Sequence, residues 1–254
     1  MPLLLSTDWH PASGVRMACT TRSGGVSTGP WRSCNLGDHV ADSPQAVAEN
    51  RHLLCTVAEL PAAPRWLHQV HGTDVVDLDS ATAAVPTADA SITTLAGTVC
   101  AVLTADCLPV LLAASDGSVV GAAHAGWRGL AAGVLETTLA AMQKRLTHGA
   151  SIRAWLGPAI SAAHFEVGAE VRAAFVAHDK QAEVAFRPGA ADRWYCDLYL
   201  LARQRLAALG VGDVAGGHHC TYADTDRFYS HRRDVQHQRL ASTGRMAALI
   251  WRQT

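Results

Sequence analysis

The chain has 254 residues, 49% hydrophobic and 17% charged, with a formal net charge of −1 at pH 7. This composition excludes disorder and supplies enough apolar surface for an ordinary core. The near-neutral balance gives no basic surface for nucleic acid or an anionic membrane, and leaves room only for a small anion bound locally.

The first residues, MPLLLSTDWHPASG, carry an apolar triplet but neither the basic leader nor the apolar stretch of a secretory signal. No run approaches the roughly 18 consecutive apolar residues of a bilayer span, so a cytoplasmic protein is expected. Seven cysteines (Cys19, Cys34, Cys55, Cys100, Cys107, Cys196, Cys220) without CxxC spacing agree. An odd set of this kind fits reduced thiols better than a disulfide framework or a four-cysteine zinc site. The first predicted helix follows Ser43, with Pro44 at its first position and Ala46, Val47, Leu53, Leu54 and Val57 at helical spacing, and ends before Pro61. From Pro64 to His124 the pattern turns to short apolar runs: WLHQV, DVVDL, ADASITT, TVCAVLTA, PVLLAA and SVVGAAH. These predict a sheet whose central strands are buried on both faces. After Gly126 helical spacing returns through Leu130, Val134, Leu135, Thr138, Leu139, Met142 and Leu146, with Lys144 and Arg145 at a suitably basic carboxyl end. A strand in IRAWLGPAI, helices over Glu170 to His178 and Asp197 to Leu209, and a terminal strand in RMAALIW complete the pattern. Strands and helices mix without strict alternation, which predicts one α+β domain over residues 1–254.

Chemistry concentrates in TADCLPVLLAASDGSVVGAAHAGWRGL. It places Cys107 at the end of one apolar run and His124 at the end of the next, each beside a tight turn, where donors of adjacent strands converge. In WLHQVHG, His71 is released by Gly72 and preceded at three residues by His68. Two histidines and a cysteine form a three-ligand zinc set whose fourth position stays open to water or substrate, the pattern of catalysis rather than scaffolding. Taken singly, each has an ordinary explanation; a cysteine in an apolar strand is usually a small buried hydrophobe, as Cys100 is expected to be. Asp106 before Cys107 and Pro109 after it mark a strand end instead, and the glycines after His124 allow close approach.

Arg22 lies in TTRSGGVS, whose backbone amides could form an anion nest beside a guanidinium. Arg128 follows Trp127 at a helix start, where an anion is also welcome. The ordinary reading of both is a solvated surface arginine. Neither segment is a nucleotide-triphosphate or dinucleotide fingerprint. In GPAISAAHFEVG, Phe165, Glu166 and Gly168 form either a pocket wall or a plain turn. In HHCTYADTDRFYSHRRD, one loop carries His218, His219, Cys220, Tyr222, Asp226, Phe228, Tyr229, Ser230, His231 and Arg232, more chemistry than a connector needs.

The strings HQVHG, TADCLPVLL, HAGWRGL, GPAIS, FEVG and FYSHRRD, in this order over most of the chain, closely resemble the YfiH-like family. Its members have been named laccase-domain or multicopper polyphenol oxidases, and later purine nucleoside phosphorylases. The resemblance implies a four-layer α/β/β/α fold of the α+β class, two packed mixed sheets flanked by helices, similar to cysteine hydrolases related to cytotoxic necrotizing factor. It also implies zinc on His71, Cys107 and His124. The implied reactions are phosphorolysis of adenosine, guanosine, inosine and 5'-methylthioadenosine, and deamination of adenosine to inosine, with small-molecule partners only. Both need an acid, for which His68 and Asp106 are nearest in sequence. Arg22, Arg128, His219, Tyr222 and Arg232 are expected to hold phosphate and base, with Tyr222 or Phe228 open to stacking or to a core role. Other bacterial members are linked to editing of peptidoglycan precursors with a misplaced serine, for which Cys107 would be a metal-free nucleophile and His124 its base. A multicopper cluster needs several His-x-His pairs and the chain has none; His218 and His219 would point apart in a strand. Copper enters only as a substitute for zinc at one mononuclear site, through its higher intrinsic affinity. No feature of the sequence fixes an oligomeric state.

Overall fold

The computed structural model describes residues 2–7, 9–82 and 84–253. In chain order its strands are β1 (Val15–Cys19), β2 (Val75–Asp77), β3 (Ala90–Thr93), β4 (Val99–Thr104), β5 (Leu108–Ala114), β6 (Val120–Ala125), β7 (Ile152–Leu156), β8 (Glu166–Gly168), β9 (Phe186–Pro188), β10 (Arg193–Cys196), β11 (Val214–Gly216) and β12 (Met246–Arg252). The helices are α1 (Pro44–Val57), α2 (Trp127–Ala132), α3 (Val134–Gln143), α4 (Ala169–His178) and α5 (Leu198–Ala208).

The larger sheet runs β11-β7-β5-β6-β3-β2 and is mixed, parallel at β11/β7 and β2/β3 and antiparallel elsewhere. The second sheet, β1-β12-β4, is antiparallel, with one parallel bridge between Arg65 and Cys100 at its β4 edge. A small antiparallel sheet, β8-β10-β9, lies outside these two.

Every residue of β4, β5 and β6 is buried, which is why their sequences are continuous apolar runs rather than alternating ones. Alternation still divides each strand between two cores. Leu111 and Ala113 of β5 pack with Cys100, Val102, Ala248 and Ile250 between the sheets. Val110 and Leu112 face the opposite way, under Leu130, Leu135, Leu139, Phe175 and Leu201 of the helices α2 to α5. On the far side of the second sheet, Ala18, Ala101 and Leu249 meet Leu54 and Ala58 of α1 and the residue after it. Helix, sheet, sheet and helices thus stack in the four layers that the resemblance implied.

Local signals account for the ends. Ser43 accepts a hydrogen bond from Ala46 N at 3.4 Å, and Asp197 accepts one from Leu200 N at 2.9 Å, each capping its helix. The single helix expected after Gly126 is two, because Gly133 takes a left-handed φ of 104° and ends α2 before α3 begins. Arg145 lies beyond α3 and pairs with Asp77 instead of serving the helix end. WLHQV is not a strand; among the described residues it makes one isolated bridge, His68 with Thr87, because the Gln69 side chain occupies the β4 backbone and His71 breaks the extension with a φ of 61°.

Candidate metal centre and active site

After β4 the chain reverses through Asp106, whose φ is 91°, and delivers Cys107 just ahead of β5. The β5/β6 register, Leu108 with Ala125 and Pro109 with His124, sets Cys107 beside His124. The exposed His71 comes from the loop before β2. Donor atoms of His71, Cys107 and His124 lie within 4.8 Å of one another, with Cys107 Sγ 3.8 Å from His71 Nε2. A Cβ at Gly126 would sit 3.0 Å from both Cys107 Sγ and His71 Cδ2, so that glycine leaves the donors room to converge.

What holds this group is a residue that the sequence pattern hid inside ADASITT. Asp89 is fully buried and accepts four hydrogen bonds: from His124 Nδ1 at 2.8 Å and from the backbone N–H groups of Val70, His71 and Gly72 at 3.1, 2.9 and 2.6 Å. With the Nδ1 proton directed at Asp89, His124 keeps the Nε2 lone pair for the centre. Gln69 completes the clamp, donating to Leu103 O at 2.9 Å and accepting from Leu103 N at 2.8 Å, so the His71 loop is tied to the end of β4. A buried acid in a chain this sparing of charge needs partners; that was the available signal.

Burial raises the Asp89 pKa, but the bonds from His124 and the loop amides outweigh it and hold the carboxyl below its ordinary range. Burial likewise pushes the Cys107 thiol up, yet the adjacent His124 and His71 draw it down to about 6. His124 is pushed down by burial and lifted to about 9 by Cys107 and Asp89. Without metal the centre is therefore expected to be a thiolate–imidazolium pair between about pH 6 and about pH 9. Iodoacetamide should alkylate Cys107 of chelated protein with a midpoint near pH 6, and peptide mapping should find it ahead of Cys19, Cys34 and Cys100, which burial pushes to about 12. A midpoint near the ordinary thiol value would contradict the pair.

The donors suit a metal. Two imidazoles and a thiolate are zinc ligands, and tetrahedral zinc sets its ligand atoms about 3.3–3.6 Å apart, within reach of small side-chain rotations from the separations seen. Among the described residues this is the one group of three such donors.

The other expected site residues are distributed differently. His68 is exposed and engages Pro86 and Ala88 through its backbone. The Asp106 carboxylate accepts from Thr221 Oγ1, Ser230 Oγ and Arg232 N at 2.6, 3.0 and 2.7 Å, pinning the 221–232 loop. Arg232 donates to Glu166 O at 2.6 Å, with its guanidinium 5.2 Å from the Phe165 ring. Arg22 donates to Arg32 O and Thr225 O, both at 3.1 Å, and lies over Tyr229. Arg128 is exposed over the Trp127 ring. His219 is not in a strand, so its ring does not point away from His218 but tilts against it at 4.3 Å; burial and the neighbouring His218 and Arg227 hold its pKa down at about 4. Phe228 is fully buried, whereas Tyr222 is half-buried, stacked on His164 at 4.6 Å and bonded to His237 Nδ1 at 2.9 Å.

Residues 16–253 match the family described as multi-copper polyphenol oxidoreductase laccase. Purine nucleoside phosphorylase YfiH of Escherichia coli is 49% identical over 251 residues, 99% of each chain. Purine nucleoside phosphorylase PA4543 of Pseudomonas aeruginosa is 50% identical over 98% of each. Among solved structures, protein NMB0706 of Neisseria meningitidis superposes with a TM-score of 0.90 at 45% identity, over the whole of both chains. YlmD of Geobacillus stearothermophilus gives 0.88 at 31% identity, over all of this chain and 97% of that one.

Proposed function

The chain belongs to the multi-copper polyphenol oxidoreductase laccase family, and from that membership we propose that it is a zinc-dependent purine nucleoside enzyme. It cleaves adenosine, guanosine, inosine and 5'-methylthioadenosine with phosphate, giving the base and ribose 1-phosphate or its methylthio analogue, and it deaminates adenosine to inosine. The observation that carries this reading is a three-donor centre, His71, Cys107 and His124, in a chain whose whole length aligns with relatives named purine nucleoside phosphorylases. Zinc bound there supplies Lewis acidity and lowers the pKa of water toward neutrality.

The chain's own residues do the rest. Asp89 fixes the His124 tautomer and the His71 loop. Tyr222, half-buried where Phe228 is wholly buried and already stacked on His164, is the ring that would extend its stack to a purine. Of the two acids expected near the site, His68 has no side-chain partner among the described residues, whereas Asp106 spends its oxygens on Thr221, Ser230 and Arg232. The seven cysteines are all free thiols. No helix among the described residues is long and apolar enough to cross a membrane.

One observation favours a second reading. Cys107, His124 and Asp89 follow one another as nucleophile, base and orienting acid, with the thiol already drawn down to about 6, an arrangement suited to a cysteine hydrolase acting on cell-wall precursors. Chromatographic analysis of adenosine incubated with metal-quantified protein, with and without phosphate and before and after chelation, separates the two. Adenine formed only with phosphate, and inosine in either buffer, both lost with zinc, are the expected products. Inert adenosine, guanosine and inosine would overturn the nucleoside reading, and full turnover after chelation would overturn the role of zinc.

A further inference from the structure

Arg245 immediately precedes β12, whose first residue, Met246, pairs with Thr104 at the end of β4, three residues before Cys107. Its backbone N–H donates to Asn35 Oδ1 at 2.9 Å, and its stem lies against Gly37, where a Cβ would come within 2.8 Å of Arg245 Cγ. Nη1 donates to Thr243 O and Gly244 O at 2.9 and 3.1 Å. Nε and Nη2 have no acceptor, and the guanidinium no carboxylate partner, among the described residues. The groups that feel its charge are Cys107, Asp106, His231 and His39.

Asp106 does not neutralise it by contact, since its two oxygens are taken by Thr221, Ser230 and the Arg232 N–H. Arg232 also feels the charge of Asp106 and makes no ion pair with a carboxylate among the described residues. Two guanidiniums thus feel one committed carboxylate, Asp106, next to the Cys107 donor. A partly buried guanidinium with a free N–H edge recognises a tetrahedral oxyanion through two parallel hydrogen bonds.

We infer that Arg245, together with Arg232, whose backbone N–H binds Asp106, forms the oxyanion subsite of the centre and holds the phosphate co-substrate. This rests on the phosphorolysis reading. Hydrogen phosphate oriented there forms a bond from one oxygen to the anomeric carbon of the nucleoside. The glycosidic C–N bond breaks, its electron pair leaves on the purine nitrogen, and that nitrogen takes up the proton that hydrogen phosphate gives up.

Titration of zinc-loaded protein with inorganic phosphate by calorimetry, on wild type, Arg245→Gln and Arg245→Lys, tests the subsite without turnover. Wild type should bind saturably, Arg245→Gln should bind about tenfold or more weakly, as loss of a charge-assisted hydrogen bond implies, and Arg245→Lys should fall between. Zinc content and circular dichroism check that each variant is folded, and the lysine variant, which keeps the charge, serves if the glutamine variant is not. No saturable phosphate binding to wild type, or equal affinity in a folded Arg245→Gln, overturns the subsite. Phosphate binding that depends on Arg245 in a protein that yields no ribose 1-phosphate supports the subsite and overturns the phosphorolysis reading instead.

Discussion

Cys107→Ala should emerge from purification without zinc and with kcat/KM for adenosine reduced at least about 10³-fold, while its fold survives. The loss follows from the geometry: His71 and His124 alone leave two donors, and His71 is exposed on a loop. Metal catalysis supplies several kcal/mol of transition-state stabilisation, and about 4 kcal/mol corresponds to about 10³ in rate. Survival of the fold follows from where Cys107 stands. It is half-buried at a turn, outside the three apolar cores, and the Asp89 network beneath it contains no atom of Cys107. Bound metal stabilises the native state by mass action, so the fair comparison is between chelated wild type and variant. Their melting temperatures should agree within about 2–4 °C, the shift that 1 kcal/mol gives a chain of this size. Zinc retained at wild-type stoichiometry with undiminished turnover would remove Cys107 from the centre. Chelation of wild type supplies the contrast, since it disables the zinc enzyme and leaves a cysteine nucleophile intact.

The elements legible in the sequence are those whose signal is local. Ser43 and Pro44 announce α1 within two residues, and the runs behind β4, β5 and β6 are apolar because both faces are covered. The strands that escaped are β1 and β8 to β11, of three to five residues, whose pairing is decided by partners elsewhere in the chain. Gly133 was invisible as a break because apolar residues on both sides keep helical spacing against the same sheet. At the site, His71, Cys107 and His124 were readable because ligand side chains at strand ends are marked by the turns beside them. Asp89 and Arg245 were not, since each acquires its meaning from distant residues. Asp89 bonds His124, 35 positions away, and Arg245 stands at the start of β12, which the register sets against the end of β4. Arg22 shows the converse: its glycine-rich surroundings resemble an anion nest, yet Nε and Nη1 are engaged by the carbonyls of Arg32 and Thr225.

Asp89→Asn should weaken zinc binding by about 10- to 100-fold, the cost usual for removing the acid behind a metal-bound histidine. It should also move the alkylation midpoint of the chelated protein upward. An aspartate presents two acceptor oxygens to four donors here; an asparagine presents one oxygen and an NH₂. If the NH₂ faces His124, the imidazole must offer Nδ1 as acceptor and carry its proton on Nε2, the nitrogen that the metal needs. If it faces Val70 and Gly72, their N–H groups lose their acceptor and the His71 loop is pushed off its anchor. Stability should fall by about 1–3 kcal/mol in either case, as for other buried donors left unsatisfied. The thiol readout separates positioning from mere loosening. Removing the Asp89 charge makes the His124 imidazolium less stable, which in turn makes the Cys107 thiolate less stable, so the midpoint rises from about 6 toward the ordinary thiol range. A variant that is less stable but keeps wild-type zinc affinity and a midpoint near 6 would show that Asp89 only braces the fold, leaving the tautomer of His124 to be set by something else.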